Sequence, residues 1–284
     1  MNGSSIHTER AKSWNDLNRR LFKTVKKTNF GRFRSNYGFR GLTRDFDLST
    51  SLNRLGGKYH LLEGSLNRNF RKYADRDGIS HGSDWHWLAL AQHHGLPTRL
   101  LDWTYSPYVA MHFATELMSD MEHDGMIWCV DFNKATSFLP QHLHQILAEE
   151  YSMVFTVDML SRAVANLKAL DALREAQGEF VVFIEPPSLD PRIVNQFALF
   201  SLMSSPTAKL HEWLETRPDL CFKVIIPHEI KWEVRDKLDQ ANISERMLYP
   251  GLDGTCRWLK RHYSPRSKSA GRPEPGAADL LRGL

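Results

Sequence analysis

The sequence predicts an α+β fold in a single domain. Segments with a helical spacing of apolar residues alternate with short strand-like runs along most of the 284 residues. No linker rich in Pro, Gly or Ser interrupts this alternation before residue 264, and no repeat period is present. A chain of this length is long enough to bury a substantial core. We therefore expect one α+β domain followed by a tail.

Periodicity and capping residues define the elements of the first half of the chain. Apolar residues at three- and four-residue spacing over residues 14–25 are typical of an amphipathic helix. Ser83 and Gly95 have the residue types of a helix N-cap and a helix end, and Ser106 followed by Pro107 is a strong helix start. The predicted elements are helices at 13–28, 62–74, 83–95 and 106–118, and strands at 36–42 and 98–103.

The second half alternates in the same way. Residues 193–202 are predicted as a strand, and alternation then places Arg192, Val194 and Gln196 on one face. Residues 264–284 are rich in turn formers and lack aromatic residues, which predicts a disordered tail. The predicted elements are strands at 126–132, 180–184, 193–202 and 221–226, helices within 139–176, and helices at 207–215, 228–241 and 252–261.

Composition argues against membrane and secreted classes of protein. No apolar run approaches the roughly 20 residues that span a bilayer. The first residues lack the charged and then apolar layout of a secretory signal. Three cysteines at wide spacing, without a Cys-x-x-Cys pair, favour reduced thiols and argue against a cysteine zinc site. We therefore expect a cytoplasmic protein without a membrane partner.

Positive charge is concentrated at the start of the chain. Residues 1–36 carry nine Lys or Arg against two acidic residues, a net charge of +7 in a chain whose total is +4. A basic arm over residues 10–34 is suited to contact nucleic acid or another polyanion. The alternative is a solvated helix face, because few aromatic residues are interleaved with these charges.

Polar residues are densest in the segment 92–107, which reads QHHGLPTRLLDWTYSP. A buried strand has no use for so many polar side chains, so the segment is predicted to present them at a turn, a strand and a second turn. The helix that starts at Ser106 also offers free N–H groups and a positive dipole end, which suit an anion such as a pyrophosphate. Each of these residues also has a structural alternative. Arg99 and Asp102 could form an ion pair with each other, Trp103 could pack in the core, and Thr104 and Ser106 could cap the helix.

Two residues outside this segment have the chemistry of ligand contacts. Arg40 directly precedes Gly41 at the end of a predicted strand, and its planar fork suits phosphate or carboxylate; a surface ion pair is the alternative. Gln196 must satisfy both its carbonyl and its amide, either by tying a neighbouring loop or by holding a ligand hydroxyl. The adjacent His93 and His94 have no third ligand at suitable spacing, so no metal site is predicted.

Several segments taken together resemble the FRG domain family. The matching residues are Phe39-Arg40-Gly41, the segment 92–104 with Ser106-Pro107 and Ala110, Arg192-Ile193 with Gln196 and Phe200, and the closing segments 242–244 and 248–254. The resemblance spans about residues 30–261. It divides the chain into a basic arm at 1–29, an FRG domain at 30–263 and the tail.

The resemblance implies a fold, a substrate and a set of residues. The implied fold is ADP-ribosyltransferase-like, with a split, mostly antiparallel sheet flanked by helices that grips NAD in a cleft. The implied activity is consumption of NAD by a toxin or anti-phage effector that transfers ADP-ribose to a nucleic acid or protein. The implied catalytic residues are Arg40, Thr104 and Gln196, and the implied NAD-binding residues are Arg40, Gly41, His94, Thr98, Arg99, Asp102, Trp103 and Ser106.

Gln196 departs from the pattern of such enzymes. A glutamate at that position stabilises an oxocarbenium-like ribose, whereas a neutral glutamine only forms hydrogen bonds. Asp102 and Glu185 are the acidic substitutes that the sequence offers. Two alternatives to the enzyme therefore stay open: an FRG module that binds nucleotide or nucleic acid without turnover, and an interaction or scaffold module.

Overall fold

The structure is a computed structural model that describes residues 5–74 and 82–266. All but the first three residues of the predicted tail lie outside the described residues. The strands are β1 (His7–Arg10), β2 (Lys26–Lys27), β3 (Phe33–Arg34), β4 (Tyr37–Leu42), β5 (Leu100–Thr104), β6 (Gly125–Asp131), β7 (Phe155–Thr156), β8 (Val181–Glu185), β9 (Ala198–Met203) and β10 (Cys221–Ile226). The helices are α1 (Trp14–Phe22), α2 (Tyr59–Ala74), α3 (Asp84–His93), α4 (Pro107–Thr115), α5 (Phe132–Ala135), α6 (Gln141–Glu149), α7 (Val157–Ala163), α8 (Leu167–Gln177), α9 (Pro191–Asn195), α10 (Leu210–Glu215), α11 (His228–Gln240), α12 (Glu245–Leu248) and α13 (Leu252–His262).

One large sheet organises the described residues. Its strand order is β1-β10-β6-β4-β5-β9-β8-β7, and a separate two-stranded hairpin pairs β2 with β3. The outermost pairs, β1 with β10 and β7 with β8, are parallel, and the neighbouring pairs between them are antiparallel. The predicted α+β class, with a mostly antiparallel sheet flanked by helices, is confirmed.

The sheet is divided between β4 and β5. β4 pairs with β6 along its whole length, and β5 pairs with β9 along its whole length. Between β4 and β5 the register consists of Phe39 opposite Thr104. Beyond that pair the two strands separate, so the backbone of residues 40–42 is not joined to β5 by ladder hydrogen bonds. The sheet thus consists of two half-sheets that meet at a narrow bridge.

The packing of apolar residues follows this division. On one face a single core spans both half-sheets and contains Trp103, Trp128 and Leu199. On the opposite face the apolar residues form two separate cores. One packs α1, α4 and α11 against β4, β6 and β10, and the other packs α3, α6, α7 and α8 against β5, β8 and β9. Space is therefore left along the line where the half-sheets separate.

The first predicted helix was too long. Ser13 caps α1 by accepting a hydrogen bond from the Asp16 backbone N–H, but the helix ends at Phe22. Residues that were predicted to complete it form the β2–β3 hairpin instead. The segment predicted as a basic arm is also built into the fold, since β1 pairs with β10 and the helix buries Leu17 and Leu21.

The predicted strand over residues 193–202 was wrong in its first half. Asp190 caps α9 by accepting hydrogen bonds from the backbone N–H groups of Arg192 and Ile193, and Pro191 occupies the first helical position. The strand begins only at Ala198. The predicted alternation of Arg192, Val194 and Gln196 on one strand face therefore does not exist.

Among the described residues, no helix combines the length and the apolar character that a membrane crossing requires.

Candidate functional site

A cavity of about 580 Å³ opens where β4 and β5 separate. Its walls come from both half-sheets, because Phe39 of one core and Phe200 of another both line it. The end of α4 and the α9–β9 segment complete the lining. The charged residues of the lining are Arg40, Arg54, Arg192, Asp47, Asp102 and Glu116.

Arg40 bridges the gap between the half-sheets. Its Nη1 donates a hydrogen bond to the Asp102 backbone carbonyl at 2.5 Å and lies 3.9 Å from the Asp102 carboxylate. Its Nε is buried without a hydrogen-bond partner among the described residues. Burial lowers the pKa of Arg40; the charge of Asp102 opposes this shift and that of Arg54 adds to it. Arg40 thus lines the cavity with one guanidinium N–H that no described residue satisfies.

Gly41 lets α4 approach the strand at this point. A Cβ atom on Gly41 would lie 1.9 Å from the Ala110 carbonyl oxygen and 2.7 Å from the Ala114 nitrogen. Only a residue without a side chain fits there. The close contact places the end of α4, with Phe113 and Glu116, in the wall of the cavity beside Arg40.

A chain of side-chain hydrogen bonds fixes Asp102. β5 buries the residues on either side of Asp102 and exposes its side chain. The Thr98 hydroxyl donates to Gln92 Oε1 at 2.6 Å, which orients the amide of Gln92. Gln92 Nε2 then donates to both carboxylate oxygens of Asp102, at 3.0 and 3.1 Å. Asp102 is thus a positioned, solvent-reachable carboxylate next to Arg40.

Thr104 and Gln196 join the cavity to the closing segment of the chain. The Thr104 hydroxyl is buried; it donates to the Gln196 backbone carbonyl at 2.7 Å and accepts from the Ser106 N–H at 3.0 Å. Gln196 Nε2 donates to the Leu248 carbonyl oxygen at 3.0 Å. Both side chains therefore form structural bonds, as the loop-tying alternative for Gln196 predicts.

Comparison with protein families gives one match within this chain. Residues 35–123 match the family model of the FRG domain. This part of the chain is therefore similar to the FRG domain. The matched range contains Arg40, Gly41 and the whole segment from Gln92 to Asp102, but it ends before Arg192 and Gln196. No curated protein and no solved structure matched the chain.

Not all of the site residues predicted from the sequence reach the cavity. The cavity lining includes Arg40, Gly41, Asp102, Trp103, Thr104 and Gln196 and does not include His94, Thr98, Arg99 or Ser106. Thr98 acts through Gln92, while His94 is exposed and contacts the Phe70 ring. Ser106 caps α4, as the capping alternative predicts.

Arg99 does not pair with Asp102. Its Nε donates to Glu63 at 2.7 Å, its Nη2 also pairs with Glu63, and its Nη1 donates to Asp171 at 2.8 Å. The side chain is buried under α2 and α8 rather than at the cavity. Trp103 is also a core residue, and its indole N–H donates to the Ser201 hydroxyl at 2.8 Å.

Arg54 and Glu116 line the cavity but were not predicted as site residues. Arg54 lies in a short 3-10 helix over Asn53–Leu55, and its Nη1 donates to the Ser49 carbonyl at 2.5 Å. Glu116 caps the end of α4 and accepts a hydrogen bond from the Tyr249 hydroxyl at 3.0 Å. Neither residue stands in a motif, so only the packing of distant elements brings them to the cavity.

A second group of polar residues lies away from the cavity, in the part of the chain that the structure describes. Ligand atoms of Asp124, His228 and Glu229 lie within 4.8 Å of one another. Arg10 forms an ion pair with Asp124 and lies 3.8 Å from Glu229. Arg10 contacts both carboxylates and offsets one of their two negative charges, so the group is accounted for as an ion-pair cluster.

Proposed function

We propose that the protein is an ADP-ribosyltransferase that consumes NAD in the cavity between β4 and β5, a role that the FRG resemblance associates with toxins and anti-phage effectors. The observation that carries the proposal is the meeting of Arg40, with its unpartnered Nε, and the positioned carboxylate of Asp102. A dinucleotide needs cationic donors for its diphosphate, and cleavage of its nicotinamide bond needs a negative charge beside the ribose.

Three arginines supply the diphosphate site in this proposal. Arg40, Arg54 and Arg192 all line the cavity. Arg54 spends one donor on a backbone carbonyl, and the guanidinium of Arg192 lies over the Tyr249 ring, with 5.0 Å to its centroid. Each therefore keeps N–H groups for phosphate oxygens, and a bound anion relieves the mutual repulsion of the three charges.

In this proposal, Asp102 provides the negative charge beside the ribose that a neutral Gln196 cannot provide. When the bond between the nicotinamide nitrogen and ribose C1′ breaks, its electron pair leaves with nicotinamide and positive charge develops on the ribose. A carboxylate fixed in advance stabilises that charge without reorganisation. The acceptor then forms a bond to C1′ and releases a proton. Glu185 does not provide this charge. Its Oε1 accepts a hydrogen bond from the Tyr105 hydroxyl at 2.8 Å, and it does not line the cavity.

Incubation with adenine-labelled NAD tests the proposal. Purified protein is mixed with the labelled NAD and with RNA, DNA or cell lysate, and released nicotinamide and transferred label are measured. We expect Arg40→Gln and Asp102→Asn to lower the rate of nicotinamide release about 100-fold or more. Arg217→Gln is the matched control, since Arg217 lies over Trp213 outside the cavity lining. No nicotinamide release with any acceptor, or full activity of Asp102→Asn, overturns the proposed enzyme.

One observation favours a second candidate, a module that binds nucleotide without turnover. Gln196 is uncharged, and its amide nitrogen is committed to Leu248. This candidate predicts saturable stabilisation of the protein by NAD, lost in Arg40→Gln, with no nicotinamide released by the wild-type protein.

A further inference from the structure

The β2–β3 hairpin carries positively charged side chains that form no ion pair with the rest of the described residues. Among the described residues, the side chains of Lys26, Lys27 and Arg32 form no ion pair or hydrogen bond, and the Arg34 guanidinium donates only to a backbone carbonyl. By contrast, four of the five preceding cations, Arg10, Arg19, Arg20 and Lys23, pair with acidic residues, and only Lys12 does not among the described residues. The free positive charge of the N-terminal region is therefore concentrated in residues 26–34.

The register of the hairpin places like charges opposite each other. Lys26 is the cross-strand partner of Arg34, and Lys27 is the partner of Phe33. Two cations directly opposite on a two-stranded ribbon destabilise it. A phosphate between the two side chains removes this repulsion, so the arrangement favours an anionic ligand.

Aromatic rings accompany these charges. Phe30 at the turn is 93% exposed, and Phe33 on β3 is 65% exposed, so both rings are largely open to solvent. Stacking of an unpaired base on such a ring is worth about 1–3 kcal/mol, and it combines with cations that track a phosphate backbone. The two rings lack the aliphatic neighbours that an interfacial membrane segment uses, which favours nucleic acid over a lipid surface.

The hairpin is held firmly enough to act as a platform. The backbone N–H of Thr28 donates to the Arg32 carbonyl at 2.7 Å, and Gly31 adopts a φ of 73°, which glycine tolerates without strain. At the base, the Ser35 hydroxyl donates to the Thr24 hydroxyl at 2.9 Å. The backbone that carries the exposed rings and cations is thus held at its turn and at its base.

We propose that residues 26–34 bind single-stranded nucleic acid, with Phe30 and Phe33 stacking on bases and the four cations contacting phosphates. The inference concerns binding alone and does not depend on the reaction proposed for the cavity.

Fluorescence anisotropy of the full chain with a labelled single strand of about 16 nucleotides tests this inference. We expect Phe30→Ala/Arg32→Gln to weaken binding at least about tenfold. The matched control is Lys72→Gln/Tyr73→Ala, which removes one cation and one exposed ring from α2 and leaves affinity unchanged. Equal weakening by the control pair overturns the proposal.

Salt dependence and competing ligands separate this proposal from its alternatives. Lys26→Gln/Arg34→Gln is expected to reduce the slope of log affinity against log salt by about 1.4, because each lost phosphate contact to a single strand contributes about 0.7. Thermal unfolding verifies that the variants are folded. Tighter binding to a duplex than to the single strand, or to phosphatidylserine vesicles than to either, contradicts base stacking by this hairpin.

Discussion

At the scale of single residues, the supply of acceptors helps to distinguish a site arginine from a structural one. Arg99 has acceptors on every side of its fork, since Glu63 and Asp171 together receive bonds from Nε, Nη1 and Nη2. Arg40 has one backbone carbonyl and an unpartnered Nε. Both side chains are mostly withdrawn from water, so burial alone does not separate them. Among the described residues, Arg71, Arg217 and Arg235 also have a buried Nε without a partner, so a shortage of acceptors points to a ligand only together with a place in the cavity lining, which Arg40 has.

Gly41 gives a residue-scale prediction about stability. Gly41→Ala forces a Cβ into the Ala110 carbonyl and the Ala114 nitrogen, both backbone atoms of α4 that cannot move aside. We expect a loss of at least about 2–3 kcal/mol in the free energy of unfolding, measured by urea denaturation. Gly64→Ala on α2 is the control, because no atom lies within 4 Å of its added Cβ. That change is expected to stabilise the protein by about 0.5–1 kcal/mol. Similar effects of the two substitutions contradict the close approach.

At the scale of elements, helices and strands were predicted well where the residues that start or end them stand next to them in the sequence. β5 and α4 were predicted near their observed bounds, and the signals for the start of α4, Ser106 and Pro107, are local. α9 was missed although Asp190 and Pro191 are also local helix signals, because the predicted strand began at Ile193, inside the helix, instead of at Ala198.

The arrangement of the site residues was predictable only where those residues stand close together in one sequence motif. The segment 92–107 brings Gln92 and Asp102 together within ten residues, and this hydrogen bond depends on one turn of the chain. The partners of Arg99 stand 36 and 72 residues away, and no spacing rule connects them. Arg54 and Glu116 reach the cavity by the same kind of distant packing. The sequence therefore pointed to residues that the structure places at the cavity, but not to which distant polar residues join them in its lining.

The helices that close the chain give an element-scale prediction about pH. Glu245 receives hydrogen bonds from Arg235 and Arg261, which join α11, α12 and α13. Burial raises the pKa of Glu245, but the hydrogen bond from Arg261 and the charges of both arginines outweigh it and bring the pKa from 4.5 to about 2. Because the folded-state pKa is lowered, this stabilisation is complete above pH 4.5 and is lost as the pH falls towards 2.

Urea denaturation of Glu245→Gln from pH 7 to pH 2 measures this contribution. At pH 7 the variant is expected to be less stable than the wild type by about 3 kcal/mol, and the difference is expected to shrink between pH 4.5 and pH 2. Glu150→Gln breaks an exposed ion pair with Arg162 and is expected to cost less than about 1 kcal/mol. If the stability difference between Glu245→Gln and the wild type stays constant with pH, the contribution of Glu245 is not ionic.

At the scale of the whole molecule, the division of the sheet places the site between two packed bodies. Each half-sheet has its own core on the cavity side, and the two are joined by the shared core on the other face. At the gap itself, the connection is the Phe39–Thr104 pair and the bond from Arg40 to Asp102. A ligand in the cavity contacts both half-sheets at once, so its binding free energy opposes their separation.

Hydrogen exchange with a non-cleavable NAD analogue tests this coupling. At about 100 times its dissociation constant, the analogue is expected to raise the free energy of unfolding by about 2.7 kcal/mol. The amides of β4 and β5 that border the cavity should gain protection together, because the ligand bridges the strands. Arg54→Gln is expected to lose this protection, whereas Arg217→Gln, outside the cavity lining, retains it. Protection confined to one half-sheet shows that the analogue binds one wall alone, and no protection at all shows that the cavity does not hold a dinucleotide.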